Sequence, residues 1–361
     1  MFYSFLAAIT ILLALLLIAS AYSDRISPEK HLFFAYLGLS FPILFLANIC
    51  FFAYWTIAKK WLPVIALLVV FAVCWKPLSS YCPFHPKTKV LPQDDVIKVL
   101  SYNVMHFAYK NHTAAEPNKI IQYIAESEAD IVCLQEYSVS TQKNRMNSKD
   151  IAKALPMYPY IAEIFFSSSD NYKYGLALLS KFPILGSQRI PYPSLHNGSA
   201  IYYVNVREKK VTVVNNHLES FKLTIEDRSK YSDMFTHVSL ESFDDFRVAV
   251  QQKIGQAFRI RAVQAEVVAK EISKTNGDYT IVCGDFNDTP ISYALRTVQG
   301  TLVDAYAKTG FGMGASYNQN LFFFRIDHIL HSPNMTTFNC RIDTRINLSD
   351  HYPIHCYLKL N

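Results

Sequence analysis

The stretch YTIVCGDFNDTP, residues Tyr279–Pro290, decides the fold of this chain. Its first half is a run of apolar and β-branched residues, which predicts a buried strand that ends near Gly284. Asp285 and Asn287 follow at once. Because the side chains of residues i and i+2 of an extended chain share one face, this carboxylate and this amide would point the same way. The stretch therefore predicts a strand with functional polar groups at its carboxyl end.

Polar side chains close several other strand-like runs in the same way. The six clusters are Asn103 in VLSYNV, Glu136 in IVCLQE, His217 in VVNNHLES, Asp285 with Asn287 in VCGDFNDTP, Asp327 in FRIDHIL, and Asp350 with His351 in SDHYPI. Each cluster alone is weak support, because a carboxylate at a strand end often caps a turn and a single histidine is more often structural. Together they predict side chains that converge on one edge of a sheet.

Helical segments alternate with these strand-like runs. The candidates are residues 117–127, 147–155 and a longer stretch over about 245–274. Strands that alternate with helices predict sheets covered by helices, in an α/β or a layered α+β domain. Residues 221–261 mix acids, bases and phenylalanines without one clean period, and we interpret them either as an ordinary helical loop or as a lid that faces the substrate.

The chain opens with an uncharged apolar run, Phe2–Ala21, which is about as long as a helix that crosses a bilayer core. A second apolar run extends from His31 to Ile57, and a third runs from Trp61 to Trp75 with tryptophans and lysines suited to a membrane interface. We predict about three transmembrane helices within residues 1–76. A buried helical bundle is the alternative, and a cleaved signal peptide fits less well because the first run lacks a basic start.

The charge of the chain is unevenly distributed. Its formal net charge is +6, and seven basic but only two acidic residues lie before residue 91. In residues 77–95 the amino-acid composition shifts to Pro, His, Lys, Ser and Asp, which predicts a linker between the membrane region and a catalytic domain at 96–361. That domain is nearly neutral, so it lacks the broad basic field that usually steers proteins to nucleic acid.

Two common kinds of site find no support in the sequence. The seven cysteines are scattered without a C-x-x-C pair, which argues against a zinc ribbon or a redox motif. The loop GFGMGASY, Gly310–Tyr317, is rich in glycine but lacks the pattern of a nucleotide P-loop. It is either a flexible rim beside the site or a plain turn before the strand FRIDHIL.

Taken as a set, the strings GDFNDTP, NNHLES, RIDHIL and SDHYPI resemble the endonuclease/exonuclease/phosphatase superfamily, over about Val96–Leu360. This superfamily includes AP endonucleases, deoxyribonuclease-I-like enzymes, inositol polyphosphate 5-phosphatases and neutral sphingomyelinases. The resemblance implies a four-layered α/β sandwich, in which two packed mixed sheets are flanked by helices. The membrane region lies outside it.

The resemblance also implies roles for the clustered residues. Glu136 would bind Mg²⁺, with Mn²⁺ as the alternative ion, and Asn103 and Asp350 would help to hold or orient it; oxygen ligands suit both ions. In the catalytic set, Asp285 would align or deprotonate the attacking water, and Asn287 and His351 would contact the phosphate. Asp327 would be the carboxylate partner of His351. His217 stands at the position where nuclease-like and sphingomyelinase-like members carry a histidine.

The leading hypothesis is a membrane-anchored hydrolase of a phosphate ester, on a lipid headgroup or another ester near the membrane, with monoesters and diesters both open. The first alternative is a membrane-tethered DNA or RNA nuclease. It needs a basic stripe, and the candidates are Lys222, Arg228, Lys230, Arg247, Lys253, Arg259 and Arg261. A non-catalytic membrane scaffold is the third reading, although every candidate catalytic position holds a chemically competent residue.

The sequence leaves the orientation of the catalytic domain open. With three spans, Lys59 and Lys60 on the inside would place the domain outside. Arg25, Lys76 and the other basic residues that flank the spans favour the reverse. In a bacterial host the simple arrangement is a multi-pass inner-membrane protein with a periplasmic catalytic domain.

Overall fold

The computed structural model describes residues 2–89, 95–113, 115–142, 145–194, 196–221, 240–319 and 324–361, with the backbone alone for 240–251. Two six-stranded sheets form its centre. The strands are β1 (Val96–Asn103), β2 (Ile131–Ser140), β3 (Tyr160–Ser168), β4 (Tyr172–Ser180), β5 (Ile184–Arg189), β6 (Gly198–Val206), β7 (Lys209–His217), β8 (Tyr279–Asp285), β9 (Val303–Asp304), β10 (Asp327–His331), β11 (Met335–Ile342) and β12 (Ile354–Leu360).

The helices flank the sheets and also form a separate N-terminal group. They are α1 (Phe2–Ala21), α2 (Leu32–Leu39), α3 (Phe41–Ile57), α4 (Trp61–Val73), α5 (Trp75–Tyr81), α6 (Met105–Ala108), α7 (Lys119–Glu126), α8 (Ser148–Ala154), α9 (Leu240–Ser273), α10 (Tyr293–Gln299) and α11 (Ala305–Thr309). The three predicted helical segments of the catalytic domain are thus helices α7, α8 and α9. Of the segment 221–261, for which a lid was one interpretation, residues 222–239 lie outside the described residues, and the rest from Leu240 onward belongs to α9.

The first sheet has the strand order β11-β12-β1-β2-β4-β3, and the second has the order β5-β6-β7-β8-β10-β9. Each sheet contains one parallel pair at its centre, β1 with β2 and β7 with β8, while the other pairs are antiparallel. The same arrangement of a parallel pair next to an antiparallel strand therefore occurs in both sheets. It places the carboxyl ends of the four parallel strands at one edge of the molecule.

The main hydrophobic core lies between the two sheets. Val99 and Cys133 of the first sheet and Tyr202, Val213 and Ile281 of the second belong to this core and are fully or almost fully buried. The outer faces are also covered: the first sheet packs on α7 and α8, and the second packs on α9 and α10. The result is four layers, helix, sheet, sheet and helix, which confirms the predicted sandwich.

A buried polar bridge fixes the two sheets against each other. The Nε2 atom of Gln135 on β2 donates hydrogen bonds to Oγ of Ser101 at 3.1 Å and to Oδ1 of Asn215 on β7 at 2.6 Å. Asn215 in turn donates to the carbonyl oxygen of Leu134 at 3.0 Å. Because unpaired polar groups are costly in an apolar core, these bonds favour one relative position of the sheets.

The N-terminal helices differ from the rest in composition. Helix α1 is long and apolar enough to cross a membrane. The other apolar segments form two bent pairs, α2 with α3 at 58° and α4 with α5 at 62°, so up to three spans result if each bent pair is one span. Helix α5 continues to Tyr81, into the segment predicted as a linker.

This N-terminal group packs directly on the sandwich. Asp24 accepts a hydrogen bond from Nη1 of Arg296 at 3.4 Å, and Tyr36 on α2 stands edge-on to Phe258 on α9, with ring centroids 5.6 Å apart. The carbonyl oxygen of Ser80 accepts a hydrogen bond from the buried Arg325. The N-terminal helices are therefore packed neighbours of the sandwich.

Gly284 provides a test of how tightly the central strands must approach. Its φ is +130°, and a Cβ atom there would lie 2.0 Å from the backbone oxygen of Asn216 on β7. We expect Gly284→Ala to lower the free energy of unfolding by about 1–3 kcal/mol, because alanine is strained at this φ and its Cβ would clash with the backbone of Asn216. Thermal unfolding of the full chain in detergent would measure it.

The matched control is Gly186→Ala on β5, where the nearest atom to a new Cβ is a ring carbon of Tyr203 at 3.8 Å. This control should leave the melting temperature almost unchanged, because 3.8 Å is ordinary van der Waals contact. Equal melting temperatures for the two variants would contradict the close approach of β7 and β8.

Candidate active site

The predicted polar side chains meet at one edge of the sandwich. Strands β1, β7 and β8 contribute their carboxyl ends, and β2 contributes Glu136 from a bulge in its middle. Strands β10 and β12 run antiparallel to their neighbours and contribute their amino ends. The residues brought together are Asn103, Glu136, His217, Asp285, Asn287, Asp327, Asp350 and His351. Sequence reasoning thus placed all eight in one region of the fold.

Asn103 joins the two sheets at this edge. Its Nδ2 atom donates to Oδ2 of Asp285 at 3.1 Å and to Oε1 of Glu136 at 3.3 Å. Its Oδ1 atom accepts a hydrogen bond from the backbone nitrogen of Met105 at 3.1 Å. Because both Asn103 and Asp285 are buried, the bond between them is shielded from water. Asn103 therefore holds Glu136 and Asp285 at a fixed separation.

His351 and Asp327 form the second contact between the sheets. The Nδ1 atom of His351 lies 2.8 Å from Oδ2 of Asp327, and its Nε2 atom lies 3.5 Å from Oδ2 of Asp285. Burial of the ring favours its neutral form, yet the Asp327 and Asp285 carboxylates outweigh burial and raise the pKa of His351 well above its usual value. The ring is therefore held as a cation that points at the site.

Asp285 and Asn287 occupy the turn after β8. Burial raises the pKa of Asp285 to about 6, although the positive charge of His351 acts in the opposite direction. The Oδ1 atom of Asp285 accepts a hydrogen bond from the backbone nitrogen of Asn287 at 2.8 Å. Asn287 has a φ of +52°, and its Nδ2 atom donates to the carbonyl oxygen of Leu218 at 2.9 Å. A left-handed, hydrogen-bonded residue at a strand end is typical of a functional turn.

His217 lies between the carboxylates. Its Nε2 atom is 3.7 Å from Oε1 of Glu136 and 3.7 Å from Oδ2 of Asp285, and its Nδ1 atom is 3.4 Å from the hydroxyl of Tyr174. Burial lowers the pKa of His217, so the ring favours its neutral form. A neutral imidazole beside the charged His351 gives the site two histidines with different protonation states.

Glu136 and Asp350 form the acidic side of the site. Glu136 has a φ of +49° and lies where the pairing of β2 with β4 is interrupted by a bulge. Its side chain is 25% exposed, so it remains accessible from the surface. Burial and then the neighbouring Asp350 charge raise the pKa of Glu136. A bound cation would relieve this repulsion between the two carboxylates.

The site offers two places for a cation. Asp285, Asp327 and His351 each provide one ligand atom, and these atoms lie within 4.8 Å of one another. However, the Nδ1 atom of His351 is already bonded to Asp327, and the raised pKa of the ring favours a protonated Nε2, which would have to lose its proton before it could bind a metal. The repelling oxygens of Glu136 and Asp350 suit a hard cation better. The donor chemistry therefore fits the predicted metal side of the site.

Sequence reasoning missed two residues of this site, His106 and Tyr174. His106 stacks on the rings of Tyr109 and Tyr174, with centroids 4.9 and 5.0 Å away, and its Nε2 atom lies 3.9 Å from Oε2 of Glu136. It lies in α6, whose residues have left-handed φ values, for example +54° at His106. The position of His106 directly after the strand VLSYN was a usable signal, whereas Tyr174 lies inside a strand without any local signal.

A cleft of about 740 Å³ opens beside Glu136. Its walls include the aromatic side chains Tyr109, Tyr172 and Tyr174 and the basic side chains Lys110 and Arg145. A cleft of this volume can accept a sizeable group attached to a phosphate, since ligand sites commonly enclose about 300–1,000 Å³.

Comparison with known proteins decides the family. The model of the endonuclease/exonuclease/phosphatase family matches residues 100–351, which include every predicted site residue. The chain belongs to this family. Its members are hydrolases that act on phosphoester bonds. The N-terminal residues 3–81 match a different model, which describes a domain of unknown function.

The individual relatives are distant in sequence. Over 167 residues the chain is 26% identical to protein cwh43 of Schizosaccharomyces pombe, a match that covers 45% of this chain and only 16% of that relative. Among solved structures, the human Nocturnin catalytic domain superposes with a TM-score of 0.51 at 17% identity, over 75% of this chain and 97% of that chain. Humanized D. rerio TDP2 has a TM-score of 0.50 at 17% identity, over 74% and 100%. At this identity the two structures show the fold alone.

The Asp327–His351 pair can be tested by mutation. We expect Asp327→Asn to lower kcat by about 10²–10⁴-fold, because positioned acid–base groups typically contribute that much and the amide cannot hold the ring charged. The rate of 4-nitrophenol release from 4-nitrophenyl phosphate and from bis(4-nitrophenyl) phosphate would measure it.

Asp343→Asn is the control for this substitution. Asp343 is a buried carboxylate too, but it bonds with Arg345, whose Nε lies 2.9 Å from its Oδ1. This variant should keep the kcat of the unmodified protein. An Asp327→Asn variant with an unchanged kcat would show that the pair is structural only.

Proposed function

We propose that this chain is a membrane-anchored, Mg²⁺-dependent phosphoric ester hydrolase whose substrate is a lipid headgroup or another phosphate ester close to the membrane. The observation that carries this proposal is the position of Ile291, six residues after Asp285. Ile291 is buried in a hydrophobic cluster with Leu17 and Ala21 of α1 and Phe41 of α3. The segment that follows the candidate catalytic residues thus packs directly against the membrane region.

The proposed division of the chain follows from this contact. Residues 1–76 are a membrane region with about three spans, and the domain at 96–361 carries the active site. Helix α1 is the first span, and the bent pair of α2 with α3 supplies a second. The third is α4, which ends just before Trp75, where α5 turns away by 62°. The segment 77–95 joins the two parts. This arrangement holds the active site next to the bilayer surface instead of on a long tether.

The proposed metal ligand is Glu136, with Asn103 and Asp350 as residues that hold or orient the ion. Mg²⁺, or Mn²⁺ in its place, suits this set because all the donors are oxygen atoms. When bound, the cation supplies positive charge against the anionic phosphate oxygens. The mutual repulsion of Glu136 and Asp350 supports this assignment.

The remaining residues have complementary proposed roles in hydrolysis. Asp285 orients the attacking water and accepts its proton, while the water oxygen forms a bond to phosphorus and the ester oxygen leaves. His351, held charged by Asp327, and Asn287 contact the phosphate oxygens and stabilise the negative charge of the transition state. His217, a neutral imidazole with one N–H donor, contributes a further hydrogen bond.

The nuclease alternative is weakened by the environment of Arg261, one of its basic candidates. Arg261 is fully buried, bonds with Asp288 at 3.1 Å and lies over the rings of Phe221 and Phe258, so it is not available to nucleic acid. Arg259 is exposed. Three of the other candidates, Lys222, Arg228 and Lys230, lie outside the described residues, as does the side chain of Arg247.

The full chain in lipid nanodiscs tests the proposed function. We expect release of phosphate or of a phosphorylated headgroup from phospholipid, and no cleavage of plasmid DNA, with Mg²⁺ but not with EDTA. Glu136→Gln should lower this activity by about 100-fold or more, because a bound cation typically contributes several kcal/mol of charge stabilisation.

Glu266→Gln is the matched control, since Glu266 lies on α9, which packs on the second sheet, and accepts a hydrogen bond from the hydroxyl of Tyr293 at 2.7 Å. It should retain full activity. DNA cleavage that falls steeply with salt would replace the lipid substrate with nucleic acid. Activity that survives EDTA and Glu136→Gln would overturn the metal-dependent mechanism.

A further inference from the structure

Three large apolar side chains form an exposed patch where the linker segment meets the catalytic domain. Phe84, Phe311 and Met313 are 70%, 60% and 44% exposed, and we call them the aromatic patch. The rings of Phe84 and Phe311 stand edge to face with centroids 5.7 Å apart. Two phenylalanines that contact each other in water leave much apolar surface uncovered, and such a patch commonly marks an interaction site.

The aromatic patch is built on a defined backbone. Residues Phe84 and Phe311 form an antiparallel bridge. On its two sides the nitrogen of Gly312 donates to the carbonyl oxygen of Pro83 at 2.7 Å, and the nitrogen of His85 donates to the carbonyl oxygen of Gly310 at 3.0 Å. This short ribbon fixes both phenylalanines, so their exposure is part of the fold.

The aromatic patch continues the apolar surface of the membrane region. Helix α4 exposes Leu62, Ile65 and Val69, and α5 begins with Trp75, which is 67% exposed. The chain bends by 62° between these two helices, and Phe84 follows soon after the end of α5. A tryptophan at such a bend is typical of the membrane–water interface. The patch therefore lies close in sequence to the point where the chain leaves the bilayer.

The charge around the aromatic patch suits a lipid surface. The segments 76–89 and 305–319 contain no acidic residue. Lys76, Lys87 and Lys308 in these segments are exposed. Aromatic side chains flanked by lysines are typical of surfaces that bind the interfacial layer of a bilayer, where the lysines attract anionic headgroups.

We propose that the aromatic patch inserts into the headgroup layer of the bilayer and forms a second membrane contact, separate from the spanning helices. The occupant is the lipid surface itself. The same loop leads to the active site, since Tyr317 bridges His351 and the carbonyl oxygen of Met313 accepts a hydrogen bond from Arg325 at 3.1 Å. This contact rests on the membrane anchoring that is part of the proposed function, but not on the hydrolase activity, for which it would present the site to lipid headgroups.

The test places a tryptophan in the aromatic patch of the full chain in nanodiscs. Phe311→Trp is compared with the unmodified protein, so that the difference spectrum reports the new side chain alone. We expect phosphatidylcholine brominated on its acyl chains to quench this emission by about twofold or more, because interfacial side chains reach about 5–10 Å into the boundary between headgroups and chains. Phe84→Trp provides an independent second position.

Leu185→Trp is the control, because Leu185 is an exposed apolar residue of similar accessibility, 62%, on the edge strand β5. Its emission should not respond to brominated lipid. Quenching at Phe311 or Phe84 but not at Leu185 supports the membrane contact. Emission at both patch positions that is as insensitive as at Leu185 overturns it, and neither result depends on catalysis.

Discussion

Two hydrogen bonds between the sheets determine whether this protein has an active site. Asn103 at the end of β1 donates to Asp285 at the end of β8, and His351 before β12 bonds with Asp327 at the start of β10. Each bond joins one sheet to the other. A shift of either sheet would separate the carboxylates from the histidines. The buried bridge of Gln135 to Asn215 deeper in the core resists such a shift.

The electrostatics of the site follow from this alignment. Several carboxylates are buried close together, which is costly unless positive charge is present. His351 provides one positive charge, and its raised pKa reflects the two aspartates on either side of it. The positive charge of His351 does not fully offset the burial of Glu136 and its repulsion by Asp350, and the pKa of Glu136 is therefore raised. The arrangement is therefore that of a site prepared for a cation and an anionic phosphate.

Much of this could be predicted from the sequence, because each polar residue lies at one end of a strand-like run: some, like Asp285, end a run, and others, like His351, precede one. Asp285 and His351 were recognisable in this way, and the apolar length of α1 was equally clear. His106 and Tyr174 were not predicted, because a left-handed turn and a cross-strand neighbour depend on tertiary packing. For the same reason the burial of Arg261, which looked like a surface base in the sequence, was visible only in the fold.

The most direct test of the account is the position of a bound metal ion in crystals of the full chain soaked with Mn²⁺, found from its anomalous scattering. The account predicts a peak beside Glu136, within about 2.0–2.3 Å of a carboxylate oxygen, since hard divalent cations bind oxygen at such distances. A peak among Asp285, Asp327 and His351 instead, with none at Glu136, would contradict it. That result would mean that His351 is a ligand and not the charged partner of the phosphate.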